Sequence, residues 1–324
     1  MQIEDMNWLM TCYNDLSDSI KKHNNSHAIL ISGEAGIGRK ILAQKFAENY
    51  LNTTQYITDD LISNEIKEPQ HPDFKFIKPE DGKKNISIDQ IRSTKAFLQL
   101  TSHQGIGKVA IICPAESMTY SAMNSLLKIL EEPSNDTLII LITESIKKLP
   151  QTIVSRSQIQ NLRNPSLKES IKWLNKYDEK PWKDILITFG NRPIIIEKLG
   201  FEYFDSRIKQ VNEDIDLLVL KKSKPSQIAN TWKSEELDIY LSILYKLISN
   251  LINQNLLNIK ESMPTSFKNI PQSDIHIEQC FQYLNEIATM RQYLINGKAL
   301  NWGLQISNLL VPIYSDMKGL IKNG

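Results

Sequence analysis

The segment that determines the fold reads His27-Ala-Ile-Leu-Ile-Ser-Gly-Glu-Ala-Gly-Ile-Gly-Arg-Lys-Ile-Leu-Ala-Gln-Lys-Phe-Ala-Glu-Asn49. A short apolar run comes first, three glycines follow at Gly33, Gly36 and Gly38, and apolar residues at helical spacing come last. This order predicts a strand, a glycine-rich turn and a helix. It is the frame of a phosphate-binding P-loop.

Two positions of this loop depart from the chemistry of a working P-loop. There, a lysine reaches the β- and γ-phosphates and the next hydroxyl ligates magnesium. This chain has Arg39 and Lys40 at these positions. An ammonium group cannot ligate a magnesium ion, and a guanidinium is a planar fork rather than a compact point charge. We therefore predict a vestigial loop that uses neither ATP nor magnesium.

Composition limits the classes of function. A chain of 324 residues can form two or three domains, and its net charge of +1 gives little support to strong DNA binding by the chain alone. The chain shows no signal-peptide pattern and no apolar run of membrane-spanning length, so we expect a cytoplasmic protein without membrane association. Its three cysteines lie far apart, which predicts no zinc site.

Strand and helix patterns alternate along residues 71–143. Ser87 with Gln90 forms a capping-box pattern at a helix start, Thr119 is the predicted N-cap of a second helix over 120–132, and Ser166 is the predicted cap of a later helix. The runs 109–112 and 138–142 are fully apolar, as in buried parallel strands. The alternation predicts a doubly wound α/β core with a mainly parallel sheet.

The strand at 109–112 is where an active P-loop ATPase carries an acidic pair, one member for magnesium and one for the attacking water. Cys113 and Pro114 follow it in this chain. Glu116, two residues further on, is interpreted as a solvent-facing or helix-start carboxylate rather than a substitute base.

A second candidate site follows the last core strand and helix, at Ser155, Arg156 and Ser157. A lone arginine on a loop is usually a solvated or salt-bridged surface residue. The position of Arg156 between two serines at this point of the fold makes it a candidate functional residue.

An ordered set of motifs along the first 200 residues is similar to that of one protein family. The matching segments are His71-Pro-Asp-Phe74, Ile88-Asp-Gln-Ile-Arg92, Lys108-Val-Ala-Ile-Ile112, Asn124-Ser-Leu-Leu-Lys-Ile-Leu-Glu-Glu-Pro133 and Ser155-Arg156-Ser157. In this order they are typical of clamp-loader subunits. The chain resembles the delta-prime family of the bacterial DNA polymerase III clamp loader, within the AAA+ class of ATPases.

The resemblance implies an α/β AAA+ core with a parallel sheet at 1–163, a small helical lid at 164–200 and an all-α collar at 201–324. It implies a non-catalytic stator in a hetero-oligomer with the gamma/tau and delta subunits, which reaches the sliding clamp and primer-template DNA through the assembly. The arginine of the Ser-Arg motif, here Arg156, would reach the ATP site of a neighbouring subunit. The chain would belong to a DNA-directed DNA polymerase (nucleotidyltransferase) holoenzyme without synthesising DNA itself.

Three departures from the family are visible. Ser157 stands where the family usually has cysteine, and residues 51–70 contain no cysteine where the family often carries a four-cysteine zinc module, so we expect no zinc. The segment Gly190-Asn191-Arg192-Pro193 has proline where gamma-type subunits carry a nucleotide-sensing arginine.

The alternative to a stator is a stand-alone AAA+ ATPase with an atypical P-loop. A sequence-specific DNA-binding module has little support.

Overall fold

The computed structural model describes residues 3–22, 27–53, 71–257, 267, 276–295 and 297–315. The chain forms two compact units, Met1–Glu179 together with Asn191–Ile196, and Lys180–Gly190 together with Glu197–Gly324. The three-domain division at 163/164 and 200/201 stays a prediction. Residues 54–70, which hold most of the segment expected to lack a zinc module, lie outside the described residues.

The first unit is built on a five-stranded parallel sheet with the strand order β2-β3-β4-β1-β5. The strands are β1 (Ala28–Ser32), β2 (Phe74–Ile77), β3 (Lys108–Ile112), β4 (Thr137–Thr143) and β5 (Gln158–Asn161). Every residue of β1, β3 and β4 is buried, as expected for parallel strands with both faces covered. The predicted parallel α/β core is therefore confirmed.

The helices of the first unit are α1 (Asn7–Lys22), α2 (Arg39–Tyr50), α3 (Ile88–Gln99), α4 (Tyr120–Glu131), α5 (Gln151–Val154) and α6 (Leu167–Leu174). Three of them, α3, α4 and α6, begin directly after the capping residues that the sequence indicated. Ser87 forms the predicted capping box with Gln90, and the Thr119 hydroxyl accepts a hydrogen bond from the N–H of Ala122. These caps satisfy N–H groups that have no partner inside the helix.

The second unit is helical throughout its described residues, which confirms the predicted all-α C-terminal region. Its helices are α7 (Trp182–Thr188), α9 (Phe201–Val219), α10 (Pro225–Thr231), α11 (Leu237–Leu257), α12 (Ile277–Ile295) and α13 (Trp302–Tyr314). Helix α8 (Pro193–Leu199) begins in the first unit and ends in the second. Leu244, Ile287 and Leu310 lie at the centre of the apolar core of this unit.

Two features of the described residues concern membranes and metals. None of their helices combines the length and the apolar character needed to cross a bilayer. The same residues contain no group of three or more His, Cys, Asp or Glu side chains arranged to hold a metal ion.

A buried ion pair fixes one side of the sheet in the first unit. The Asp73 carboxylate lies 2.8 Å from the Lys108 ammonium, with 0% and 4% of the two side chains exposed. The carboxylate also accepts hydrogen bonds from the Ser102 hydroxyl and from the N–H groups of His103 and Gln104. Burial alone would raise the pKa of Asp73, but these donors outweigh it and hold the pKa well below its usual range.

We expect Asp73→Asn to lower the free energy of unfolding at pH 7 by about 3 kcal/mol, because the Lys108 charge would stay buried without a partner. The native protein holds the full contribution of Asp73 above the unfolded carboxyl pKa of about 3.9, and loses it as the pH falls below that value. The variant should lack this part of the dependence of unfolding free energy on pH, because asparagine does not titrate. Urea unfolding between pH 3 and pH 7 measures both effects.

Asp89→Asn is the matched control, because Asp89 pairs with Arg92 at the surface, where an ion pair contributes little. An Asp73 variant that is no less stable than the Asp89 variant would contradict the assignment.

Candidate functional site

The glycine-rich turn has the backbone conformation of a P-loop. Gly36 and Gly38 have φ values of 84° and 110°, in the left-handed region that favours glycine. Gly38 is the N-cap of α2, so Arg39 is the first residue of that helix. The predicted strand, turn and helix are all present.

The turn is packed against apolar side chains of its own unit. A Cβ atom placed on Gly36 would lie 2.7 Å from Cδ1 of Ile195, and one placed on Gly38 would lie 2.5 Å from Cδ1 of Leu9. Leu9 belongs to α1 and Ile195 to the first turn of α8. Helices α1 and α8 therefore both pack against the loop.

Backbone carbonyl groups of the turn are hydrogen-bonded to the same two helices. The N–H of Ile194 donates to the Gly36 carbonyl at 3.2 Å, and the buried Trp8 indole donates to the Ile37 carbonyl at 2.8 Å. These contacts fix the turn without a ligand. The sequence held one unused signal for them, namely three consecutive isoleucines directly after Pro193.

The two cations of the loop lie beside side chains that follow β3 and β4. The Arg39 guanidinium is 3.8 Å from the Glu144 carboxylate, and only 13% of its side chain is exposed. Burial raises the pKa of the Cys113 thiol, while the nearby charges of Lys40 and Arg39 lower it. The thiol therefore stays neutral near pH 7, and it offers no carboxylate oxygen to a metal ion.

The structure corrects one part of the interpretation of Glu116. It lies in the first turn of the short 3-10 helix Ala115–Ser117, so its assignment to a helix start is confirmed. The solvent-facing assignment was wrong, since only 14% of its side chain is exposed. The carboxylate instead accepts a hydrogen bond at 3.1 Å from the N–H of Glu144, the residue that directly follows β4.

A magnesium–triphosphate complex does not fit the residues of this loop. Lys40 stands where the magnesium-ligating hydroxyl of a P-loop would be, and Cys113 and Pro114 stand where the acidic pair would be. Ile195 also packs against Gly36 of the turn.

The second candidate site is a continued helical turn after α5. The Ser155 hydroxyl donates to the Thr152 carbonyl at 3.2 Å, and the Ser157 hydroxyl donates to the Ile153 carbonyl at 3.0 Å. Both serines therefore hold the backbone on either side of Arg156. This role explains why a serine can stand where the related family usually has cysteine.

The Arg156 side chain is 38% exposed, and its guanidinium contacts Thr152, Glu131 and, at 3.5 Å, the Ser155 hydroxyl. Nη1 donates to the Thr152 carbonyl at 3.0 Å, and Nη2 lies 2.9 Å from Oε1 of Glu131 in the last turn of α4. Sequence reasoning did not identify Glu131. One signal was present, because a carboxylate in the last turn of a helix is unfavourable unless a cation is near.

Strand register separates the two candidate sites. In the parallel pair, Gln158 of β5 lies opposite Ile29 of β1, and Asn161 lies opposite Ser32. Arg156 precedes β5 and the glycine-rich turn follows β1, so they lie at opposite edges of the sheet. The five residues of β1 span about 16 Å at the usual rise per residue. The structure thus brings the loop residues together, but it does not bring Arg156 to them.

A five-stranded parallel sheet with a P-loop between β1 and α2, together with a helical C-terminal region, defines the AAA+ fold class. A family described as "DNA polymerase III, delta subunit" matches residues 9–166. DNA polymerase III subunit delta' of Pseudomonas aeruginosa is 28% identical over 89% of this chain and 91% of its own length. This chain is therefore a sequence relative of the DNA polymerase III delta' subunits, as its motifs predicted.

Further comparisons agree with this relationship. The delta' subunit of Buchnera aphidicola (subsp. Acyrthosiphon pisum) is 27% identical over 81% of this chain and 85% of its own length. That of Bacillus subtilis is 36% identical over 44% of each chain. The crystal structure of a DNA polymerase III gamma subunit-related protein from Thermotoga maritima covers 94% of this chain and 99% of its own, with a TM-score of 0.52 and 20% identity. At that identity the similarity shows the fold alone.

We expect Gly36→Ala to destabilise the protein more than Gly82→Ala. Both glycines have a positive φ, 84° and 75°, so the backbone penalty of about 1 kcal/mol is common to the two variants. Nothing lies within 4 Å of a Cβ on Gly82, whereas a Cβ on Gly36 meets Ile195. Urea unfolding should give an additional loss of about 1–3 kcal/mol for Gly36→Ala. Equal losses would show that the turn is not closed by Ile195.

Proposed function

We propose that this chain is a non-catalytic stator subunit of the bacterial DNA polymerase III clamp loader. In this role it assembles with gamma/tau and delta subunits, and the assembly loads the sliding clamp on primed DNA. Its relationship to delta' subunits supports membership of the complex. The observation that carries the stator role is the position of Arg156 at the surface, at the sheet edge opposite its own P-loop.

An arginine stabilises phosphoryl transfer by meeting the charge that develops on the transferring group. Arg156 is exposed enough to do so, but about 16 Å of sheet separates it from its own loop. It would therefore act at the ATP site of an adjacent subunit. Ser155 and Ser157 would support this by fixing the turn that carries it.

The proposal gives this chain no ATP, magnesium or zinc of its own and no synthesis of DNA. The altered P-loop residues and the apolar cover over Gly36 support this part. The helical second unit would act as the collar that joins subunits, and DNA would be reached through the assembly. A cytoplasmic location in a hetero-oligomer follows from the same role.

In a complex reconstituted with gamma/tau and delta, we expect Arg156→Ala to lower the clamp-stimulated ATPase rate. Loss of an arginine finger lowers kcat on the order of 10³-fold at the ATP site that it serves. The total ATPase rate of the complex should therefore fall by the fraction that this one site contributes. Phosphate release measures the rate, and co-elution on size exclusion checks that the complex still forms.

Arg92→Ala is the matched control, since Arg92 is also an exposed, ion-paired arginine of the first unit. If the Arg156→Ala complex assembles and its clamp-stimulated ATPase rate is unchanged, Arg156 does not act as an arginine finger.

Isothermal titration of the isolated chain with ATP and magnesium should show neither binding nor turnover. We expect no turnover in the double variant Arg39→Lys with Lys40→Thr either, because Cys113 and Pro114 still supply no carboxylate. Tight binding with turnover by the unmodified chain would instead support the stand-alone ATPase.

A further inference from the structure

We infer that Glu131 is a positioning residue for Arg156, holding the guanidinium by one edge so that its other donors can meet a phosphate of a neighbouring subunit. This inference rests on the proposed function. Of the two glutamates in the Leu130-Glu131-Glu132-Pro133 motif, Glu131 is the one that pairs with Arg156; the side chain of Glu132 makes no ion pair among the described residues.

The contacts of the guanidinium leave part of it free. Arginine carries five N–H donors, and the contacts here use Nη1 toward the Thr152 carbonyl at 3.0 Å and the Ser155 hydroxyl at 3.5 Å, and Nη2 toward Glu131. Within the described part of the chain, the Nε–H of Arg156 makes no hydrogen bond. The side chain can therefore stay paired with Glu131 while it presents further donors to phosphate oxygens.

Both partners project from well-anchored backbone. Leu130, directly before Glu131, is 2% exposed, and its carbonyl accepts a hydrogen bond from the His27 ring at 2.9 Å. Ile153 is fully buried in the same apolar core as Leu130, in the short helix just before Arg156. The distance between the two backbones is thus set by the core, so the ion pair has a fixed geometry at each end.

Glu131 lies where a helix disfavours a carboxylate. It is in the last turn of α4, where the carbonyl ends of the helix give a negative potential. Pairing with Arg156 offsets that repulsion. In return, Arg156 loses less rotamer freedom when it meets a ligand, because Glu131 and Thr152 already restrict it.

The test compares Glu131→Ala, Glu131→Gln and the control Glu132→Ala in the complex with gamma/tau and delta, by the dependence of ATPase rate on ATP concentration. We expect Glu131→Ala to lower kcat by about two- to fivefold, the effect of one exposed ion pair, with KM unchanged. Glu131→Gln should retain more activity because it can still accept a hydrogen bond. Glu132→Ala should match the unmodified complex.

Combining Glu131→Ala with Arg156→Ala tests whether Glu131 acts through Arg156 or through a general effect on the structure. Glu131→Ala should cause no further loss there, because its partner is already gone. The inference is overturned if the loss persists in that background, if Glu131→Ala equals Glu132→Ala, or if kcat rises. These outcomes differ from a failure of the proposed function, in which Arg156→Ala alone would leave the rate unchanged.

Discussion

Parallel pairing of β1 with β5 is the constraint on which the functional geometry depends. Parallel strands begin at one edge of a sheet and end at the other, so a turn after β1 and a turn before β5 must face opposite ways. Side chains reinforce this pairing, since the Ser32 hydroxyl donates to the side chain of Asn161. The same hydrogen bonds that hold the sheet together therefore keep Arg156 away from the glycine-rich turn of its own chain.

Contacts within its own unit fix the shape of the glycine-rich turn. In a P-loop, backbone N–H groups of the turn donate to phosphate oxygens. Here Trp8 and Ile194 donate to carbonyl groups of the turn, and Leu9 and Ile195 pack against its glycines. Close packing therefore gives the loop a fixed shape.

Local signals account for what the sequence predicted correctly. The four apolar or turn-flanked strands and the Ser87, Thr119 and Ser166 caps each depend on residues within a few positions. Strand β5 was not predicted, because Gln158–Asn161 is short and mostly polar, and its strand conformation comes from pairing with β1. Contacts between distant segments, such as Ile195 with Gly36, could not be predicted either, because the isoleucines after Pro193 indicate a buried helix but not the segment that it contacts.

Exposure distinguishes ion pairs that fix the fold from an ion pair that is open to a further partner. Asp73 and Lys108 are almost fully buried, and separating them would leave a charge in a medium that solvates it poorly. The Arg39 side chain is 13% exposed beside Glu144, so it too is largely shielded from new partners. Arg156 and Glu131 are 38% and 50% exposed, and water can solvate either charge when their contact loosens. This exposed pair orients the guanidinium and leaves its remaining N–H donors accessible, so a further anionic group could be bound while the contact with Glu131 is kept.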